Sequence, residues 1–359
     1  MGSVCIEFID TASFHSFSFQ PICIKIEHVQ LQENNERTEA RRMSIIDIIT
    51  PVFMMAVMVV IGLVTSKMID VSVETRRFIS FVAINFALPA VVVYSIFQLE
   101  FNSSTWASFS MVYACALGLT WTGMALGYSI GRSFHYTDME ARQLAIVSGC
   151  GNTGFIGIPL ITILFGTEAG SYAAVYDAGT MTSVFTIGIL LLKPGRFSFR
   201  QLTAILNTPF LTLVSSVMLA SAGVMLPMIF LETVNTISGL AAPLAMILIG
   251  LLIPTITSSN WKMVKTGYKR FMGTAVLVKV FTVPAVACLL VWLLPIPELL
   301  GKIIIVQASM PTFTLATVLF ERYIHGGSKQ LGIVALIATT VVSLLLLPIT
   351  VFIAQHIVG

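Results

Sequence analysis

The chain has 359 residues, 56% hydrophobic and 10% charged, with a formal net charge of +3 and a mean hydropathy of +0.92. Soluble domains carry roughly 25% charged residues, so an ordinary soluble protein is excluded. The small net charge says little alone, and no nucleic-acid partner is expected; where the charges sit is more informative.

Residues 1–42 form an N-terminal tail that is polar and irregular from Gln30 to Arg42. It carries Lys25, Arg37, Arg41 and Arg42 and lacks the n-region and A-x-A site of a signal peptide. Met43 opens a clean apolar run, SIIDIITPVFMMAVMVVIGLV. The expectation is that Met43 is the natural start and that the tail is a disordered or mis-assigned extension.

Ten apolar segments then follow: 44–65, 77–98, 106–130, 141–165, 171–192, 203–225, 236–256, 271–294, 303–321 and 330–355. Each approaches the ~20 residues that a helix needs to cross a bilayer. The loops after the odd-numbered spans hold 14 lysines and arginines: Lys67, Arg76, Arg77, Arg132, Arg142, Lys193, Arg196, Arg200, Lys262, Lys265, Lys269, Arg270, Arg322 and Lys329. The loops after spans 2, 4, 6 and 8 hold Lys302 alone. Basic residues stay cytoplasmic, so the odd loops are expected inside and both ends of the helical unit outside, in a multi-pass protein of the cell membrane. The basic tail is at odds with an outer N-terminal side.

Prolines recur in the two halves at nearly constant spacing. Pro51 pairs with Pro209, Pro89 with Pro243, Pro159 with Pro311 and Pro194 with Pro348, at offsets of 158, 154, 152 and 154. The pairs match span 1 to 6, 2 to 7, 4 to 9 and 5 to 10. Five spans per unit is odd, so the second unit enters the membrane from the opposite side. The fold expected is all-α: ten transmembrane helices as two inverted repeats of five, 43–194 and 195–359. Chance coincidence among 14 prolines is the competing reading. Pro194 and Pro348 are expected mainly to end helices.

Span 4 reads Ser148-Gly149-Cys150-Gly151-Asn152-Thr153-Gly154-Phe155-Ile156-Gly157-Ile158-Pro159. Proline removes a donor and clashes with the carbonyl four residues back, and glycines lower helix propensity. A break near mid-membrane follows, and such a break survives only against protein or a watery cavity. Freed N–H groups and a half-helix N-terminus would attract an anion, with Asn152, Thr153 and Gly154 at the same level. A plain packing kink is the alternative. Span 9 mirrors the pattern in Gln307-Ala308-Ser309-Met310-Pro311-Thr312. If the breaks cross, Asn152, Thr153, Gln307, Ser309 and Thr312 surround one point.

Asp177 in span 5 and Lys279 in span 8 are ionisable residues away from span ends. Such a charge costs roughly 2.5–3.5 kcal/mol on insertion scales, which makes it a functional candidate. Lys279 reads as a counter-charge for an anion or as a residue snorkelling to the cytoplasmic side. Asp177 reads as a proton carrier or as a residue near enough to the outer end to reach water. Asn85, four residues before Pro89, is a weaker polar candidate that satisfies opened backbone on the simpler reading. The five cysteines show no CxxC or metal spacing; Cys115, Cys150 and Cys288 read as small buried packers, and Cys5 and Cys23 lie in the tail.

GNTGFIGIPL in span 4, VQASMPTFTLATVLFERY in span 9, LLLLPITVF in span 10 and NTPFL opening span 6 resemble the auxin efflux carrier family, which includes PIN-FORMED and PIN-LIKES carriers and bacterial organic-acid permeases. The resemblance covers about residues 43–355. It implies helices 4 and 9 crossing at Pro159 and Pro311, with substrate at the crossover and Asn152 as the carboxylate contact, in a fold similar to bile-acid symporters and sodium–proton antiporters. It also implies a dimeric scaffold of spans 1, 2, 6 and 7. The link between spans 5 and 6 is only about ten residues, so the chain resembles the short bacterial members, whose substrates include malate, malonate and oxalate.

The functional expectation is a secondary carrier of small mono- or dicarboxylates by alternating access, with an elevator-like motion. An anion channel or passive facilitator is the alternative, and an ion or proton antiporter stands behind it. An enzyme is not expected: His15, His28, His135 and His325 lie outside the spans, His356 sits at the extreme end, and neither GxSxG nor HExxH occurs. GxxxxGK[ST] is absent too, so no ATP motor is encoded, and no metal or cofactor is implied.

Overall fold

The computed structural model describes residues 45–192, 206–251, 268–313, 316, 319–320, 323–324 and 329–358. The N-terminal tail and Pro194 lie outside them. The regular structure of the described residues is helical: α1 (Ile45–Met68), α2 (Glu74–Phe97), α3 (Ser103–Ser133), α4 (Asp138–Gly149), α5 (Thr153–Phe165), α6 (Thr167–Leu192), α7 (Thr208–Ser221), α8 (Met228–Leu251), α9 (Lys269–Leu293), α10 (Glu298–Ala308) and α11 (Lys329–Val358).

Six of these are long and apolar enough to cross a membrane: α2, α3, α6, α8, α9 and α11 from Leu331 onward. They fall on the expected spans 2, 3, 5, 7, 8 and 10. Expected spans 1 and 6 carry the shorter apolar stretches Ala56–Met68 and Thr208–Ser221, span 4 is divided into α4 and α5, and span 9 contributes α10 followed by a break.

Side chains cap the helices where the chain leaves the apolar layer, because the first N–H groups of a helix have no internal acceptor. The Ser72 hydroxyl accepts from Thr75 N–H at 3.1 Å, Asn102 from Thr105 N–H at 3.0 Å and Asn207 from Phe210 N–H at 3.0 Å. Before α4, Thr137 and Glu140 close a reciprocal box, the Glu140 carboxylate accepting from Thr137 N–H at 2.8 Å.

The prolines widen helices. Pro89, Pro159 and Pro284 each sit in the first turn of an α segment that follows a π turn: Ala83–Ala87, Thr153–Gly157 and Leu277–Thr282. A proline lacks an N–H and clashes with the carbonyl four residues back; opening the turn to i→i+5 relieves both problems. Pro348 departs from expectation. It lies inside α11, which runs on to Val358. Ile349, Val351, Phe352, Ile353 and Ala354 continue the apolar run, and ending the helix among them would leave backbone groups without partners in lipid.

The core gathers Met124 from α3, Leu144 and Val147 from α4, Val184 from α6, Phe271 from α9, Phe313 and Phe320 beyond α10, and Leu336 from α11. α3 and α4 approach closely: a Cβ on Gly123 would stand 2.9 Å from the Gly149 Cα. That contact holds the end of α4, and hence the break after it, against α3.

Candidate functional site

α4 stops at Gly149 because Cys150 is extended (φ −94°, ψ 110°) and Asn152 is non-helical (φ −81°, ψ 59°). α10 stops at Ala308, and Ser309-Met310-Pro311-Thr312-Phe313 follows without regular helix. The two breaks meet. Asn152 N–H donates to the Pro311 carbonyl at 2.7 Å, and Phe313 N–H donates to the Cys150 carbonyl at 3.2 Å. Gly151 and Thr312 form an isolated antiparallel bridge. Each break thus supplies partners for groups that proline and glycine removed from the other helix. The expectation that the freed N–H groups stand open to an anion needs correction at Asn152, whose N–H is already committed to Pro311.

Several predicted residues come together here. Asn152 is 6% exposed, and among the described residues its side-chain amide has no hydrogen-bond partner. The Thr153 hydroxyl donates to Asp177 Oδ1 at 2.6 Å. Gly154 is needed as glycine, since a Cβ there would stand 2.8 Å from Asp177 Oδ2 and 3.0 Å from Oδ1. Pro159 is buried at the start of the α segment after the π turn. Gln307 is fully buried; its Nε2 donates to the Ala173 carbonyl at 3.2 Å. Its Oε1 faces Gly157 and has no partner among the described residues.

Other residues are turned away. The Ser309 hydroxyl donates to Ile305 O at 2.7 Å, back on its own helix. The Thr312 hydroxyl donates to Val147 O at 2.7 Å and lies 2.9 Å from the Thr339 hydroxyl, so it pins the break to α4 and α11. Asn85 does not join the group: its Nδ2 donates to Phe81 O at 3.0 Å, and its Oδ1 accepts from the Thr208 hydroxyl at 2.8 Å, linking α2 to α7.

Lys279 points inward. It is 1% exposed, and its Nζ donates to the Ala308 carbonyl at 3.4 Å. A Cβ on Gly151 would stand 3.3 Å from that Nζ. The snorkelling reading therefore fails for this conformation. Asp177 is partly buried and turned to Thr153 and Gly154. The ammonium and the carboxylate do not pair with each other. They flank the same break, one at residue 151 and the other at residues 153 and 154.

A cavity of about 10 Å³ lies among Thr120, Gly151, Thr153, Tyr176, Thr180, Lys279 and Gln307, with Leu119, Gly149, Val283 and Ala308 completing its wall. That is roughly the space of one water. Thr120, Tyr176 and Thr180 were not singled out in the sequence. Tyr176 had a signal, being next to Asp177; Thr120 lies in α3, where neither proline nor charge marks it. A larger groove of about 370 Å³ runs along α1 between Phe53 and Thr65, but among the described residues it is lined almost wholly by apolar side chains of that helix. It offers no convergent chemistry. Among the described residues no three or more His, Cys, Asp or Glu gather as a metal site would require.

The family model described as "Membrane transport protein" matches residues 47–201. An uncharacterized transporter of Methanocaldococcus jannaschii is 26% identical over 280 residues, covering 76% of this chain and 88% of that protein. An uncharacterized transporter of Methanothermobacter thermautotrophicus is 25% identical over 269 residues, covering 73% and 84%. With its apolar helices and broken helix pair, the chain is similar to membrane transport proteins over these regions.

Proposed function

We propose that this protein is a secondary carrier of small organic anions, mono- or dicarboxylates, working by alternating access. The observation that carries the reading is the buried Lys279 ammonium, held against Gly151 and Ala308 where the two helix breaks cross. A buried ammonium without a carboxylate partner among the described residues costs several kcal/mol, and an anionic substrate would compensate it. Asn152 adds an amide with no other partner among the described residues. Thr153 links this point to Asp177, and Gln307 and Pro311 complete its surroundings.

In this proposal ten helices form two inverted repeats, 43–194 and 195–359, and the crossing breaks belong to corresponding helices of the two. The 10 Å³ cavity is far too small for a carboxylic acid, so in this proposal the site must open on one side to admit one. An elevator-like displacement of the unit holding the crossover against a dimeric scaffold would open it alternately to each side of the cell membrane, with the odd loops cytoplasmic. Asp177 is the acid placed to couple a proton to that movement.

The test is counterflow in proteoliposomes. Saturable uptake of a labelled mono- or dicarboxylate, accelerated by unlabelled acid inside and lost in Asn152→Ala, supports a carrier. Non-saturating flux without trans-acceleration would make it a channel.

A further inference from the structure

The turn between α3 and α4 carries a second cationic constellation, at the membrane boundary and unrelated to the crossed breaks. Three backbone bonds fix it: Phe134 N–H to Ile130 O at 2.9 Å, His135 N–H to Arg132 O at 3.1 Å and Tyr136 N–H to Gly131 O at 3.0 Å. His135 takes a left-handed φ of 60° to close the turn. Arg132 Nη1 donates to the Tyr136 carbonyl at 3.1 Å. From α9, the Arg270 guanidinium carbon stands 5.5 Å from the centre of the Phe134 ring and 5.6 Å from that of Tyr136. Tyr136 in turn packs on buried Phe271 at 5.4 Å between ring centres, and its hydroxyl lies 3.1 Å from that of Thr274. Arg270 therefore lies over the two rings, and Arg132 is held at the backbone of the same turn.

The acids beside this shelf are already engaged. Asp138 accepts from Arg142 at 2.6 Å and from Tyr128 at 2.8 Å, and Glu140 accepts from Thr137 N–H at 2.8 Å. Among the described residues neither Arg132 nor Arg270 forms a direct ion pair with a carboxylate, although Asp138 is near enough to Arg132 to feel its charge, and both arginines are exposed. Planar guanidinium groups match phosphate oxygens, and a ring face that fixes their plane favours that geometry.

We infer that Arg270, seated over Phe134 and Tyr136, and Arg132, held to the Tyr136 carbonyl of the same turn, bind the phosphate headgroup of an anionic phospholipid. The site stands where two apolar helices, α3 and α9, reach the polar boundary. Along α9, Leu277 and Phe281 follow Arg270 at seven and eleven residues, on the same helical face, and are 52% and 51% exposed. A charged head with an apolar stripe beneath it fits a lipid with acyl chains better than a soluble phosphate.

Purified protein in mixed phosphatidylcholine and phosphatidylglycerol, examined by native mass spectrometry, should retain phosphatidylglycerol preferentially. It should also melt at a higher temperature in nanodiscs containing that lipid. Each arginine near an anionic headgroup contributes about 1 kcal/mol, so Arg132→Gln/Arg270→Gln should cut the preference roughly tenfold or more. Lys302→Gln, a cation elsewhere paired with Glu298, should leave it unchanged. Equal retention of the two lipids by the wild type, or preference unaltered in the double variant, would overturn the inference. So would an equal melting shift from inorganic phosphate, which would make this a soluble-anion site. Should the double variant not fold, the wild-type lipid competition decides alone.

Discussion

The backbone N–H of Asn152 donates to the carbonyl of Pro311 at 2.7 Å, tying together two helix breaks 159 residues apart in the chain. Each break costs a helix its internal bonds, and each is repaired by the other. At that junction the side chains of Ser309, Thr312, Gln307 and Lys279 each donate to a backbone carbonyl, whereas the Asn152 amide has no partner among the described residues.

Asn152→Ala should lower uptake at least about tenfold while leaving the melting temperature nearly unchanged. The amide holds no described partner, so on the proposed function its removal takes away a substrate contact at little cost to the fold. Radiolabelled uptake beside thermal unfolding of the same preparation checks this. Wild-type rates in a well-folded variant would remove Asn152 from the site.

Lys279→Gln should weaken substrate affinity by about tenfold or more, equivalent to ~1.4 kcal/mol. It should also raise thermal stability in the absence of substrate, since a buried unpaired ammonium is replaced by a neutral amide. Loss of affinity without that gain would place a compensating anion outside the described residues.

Gly154→Ala should impair transport through Asp177. Its Cβ would press on both carboxylate oxygens, which stand 2.8 and 3.0 Å from that position. Asp177→Ala removes the obstacle, so Gly154→Ala/Asp177→Ala should be no worse than Asp177→Ala alone. Additive losses in the double variant would mean that Gly154 serves backbone flexibility instead.

Asp177→Asn keeps the shape and abolishes the charge. Its amide still accepts from the Thr153 hydroxyl through oxygen, so folding should persist. If Asp177 couples a proton, uptake in the variant should lose its response to an imposed pH gradient. An unchanged response, measured with and without a proton ionophore, excludes that role.

Outside the membrane, Asp138→Asn should lower stability slightly at neutral pH. Hydrogen bonds from Tyr128 and Arg142 hold the Asp138 carboxyl below its usual range. A depressed carboxyl stabilises the folded state above its unfolded pKa, and this contribution fades as pH falls through the folded value. The melting difference between wild type and variant should therefore shrink on acidification. Exposure limits the effect to a few tenths of a kcal/mol, or about 1 kcal/mol at most.

The apolar spans and the breaks before Pro159 and after Ala308 were legible in the amino-acid order. They depend on local chemistry: lipid-length apolar runs, glycine without stiffness, proline without a donor. Pro348 shows the limit of that reasoning, because a proline bends a helix but the apolar residues beyond it decide whether the helix ends. Order along the chain also could not say which groups would pair across it. The hydroxyls of Ser309 and Thr312 looked equivalent to Asn152 and Thr153, yet packing commits them to Ile305 and Val147. Lys279 had two possible directions, outward to water or inward to Gly151. That choice, like the bond from Asn152 to Pro311, rests on partners distant in sequence, and only the tertiary packing of α3, α4, α9 and α10 brings them within reach.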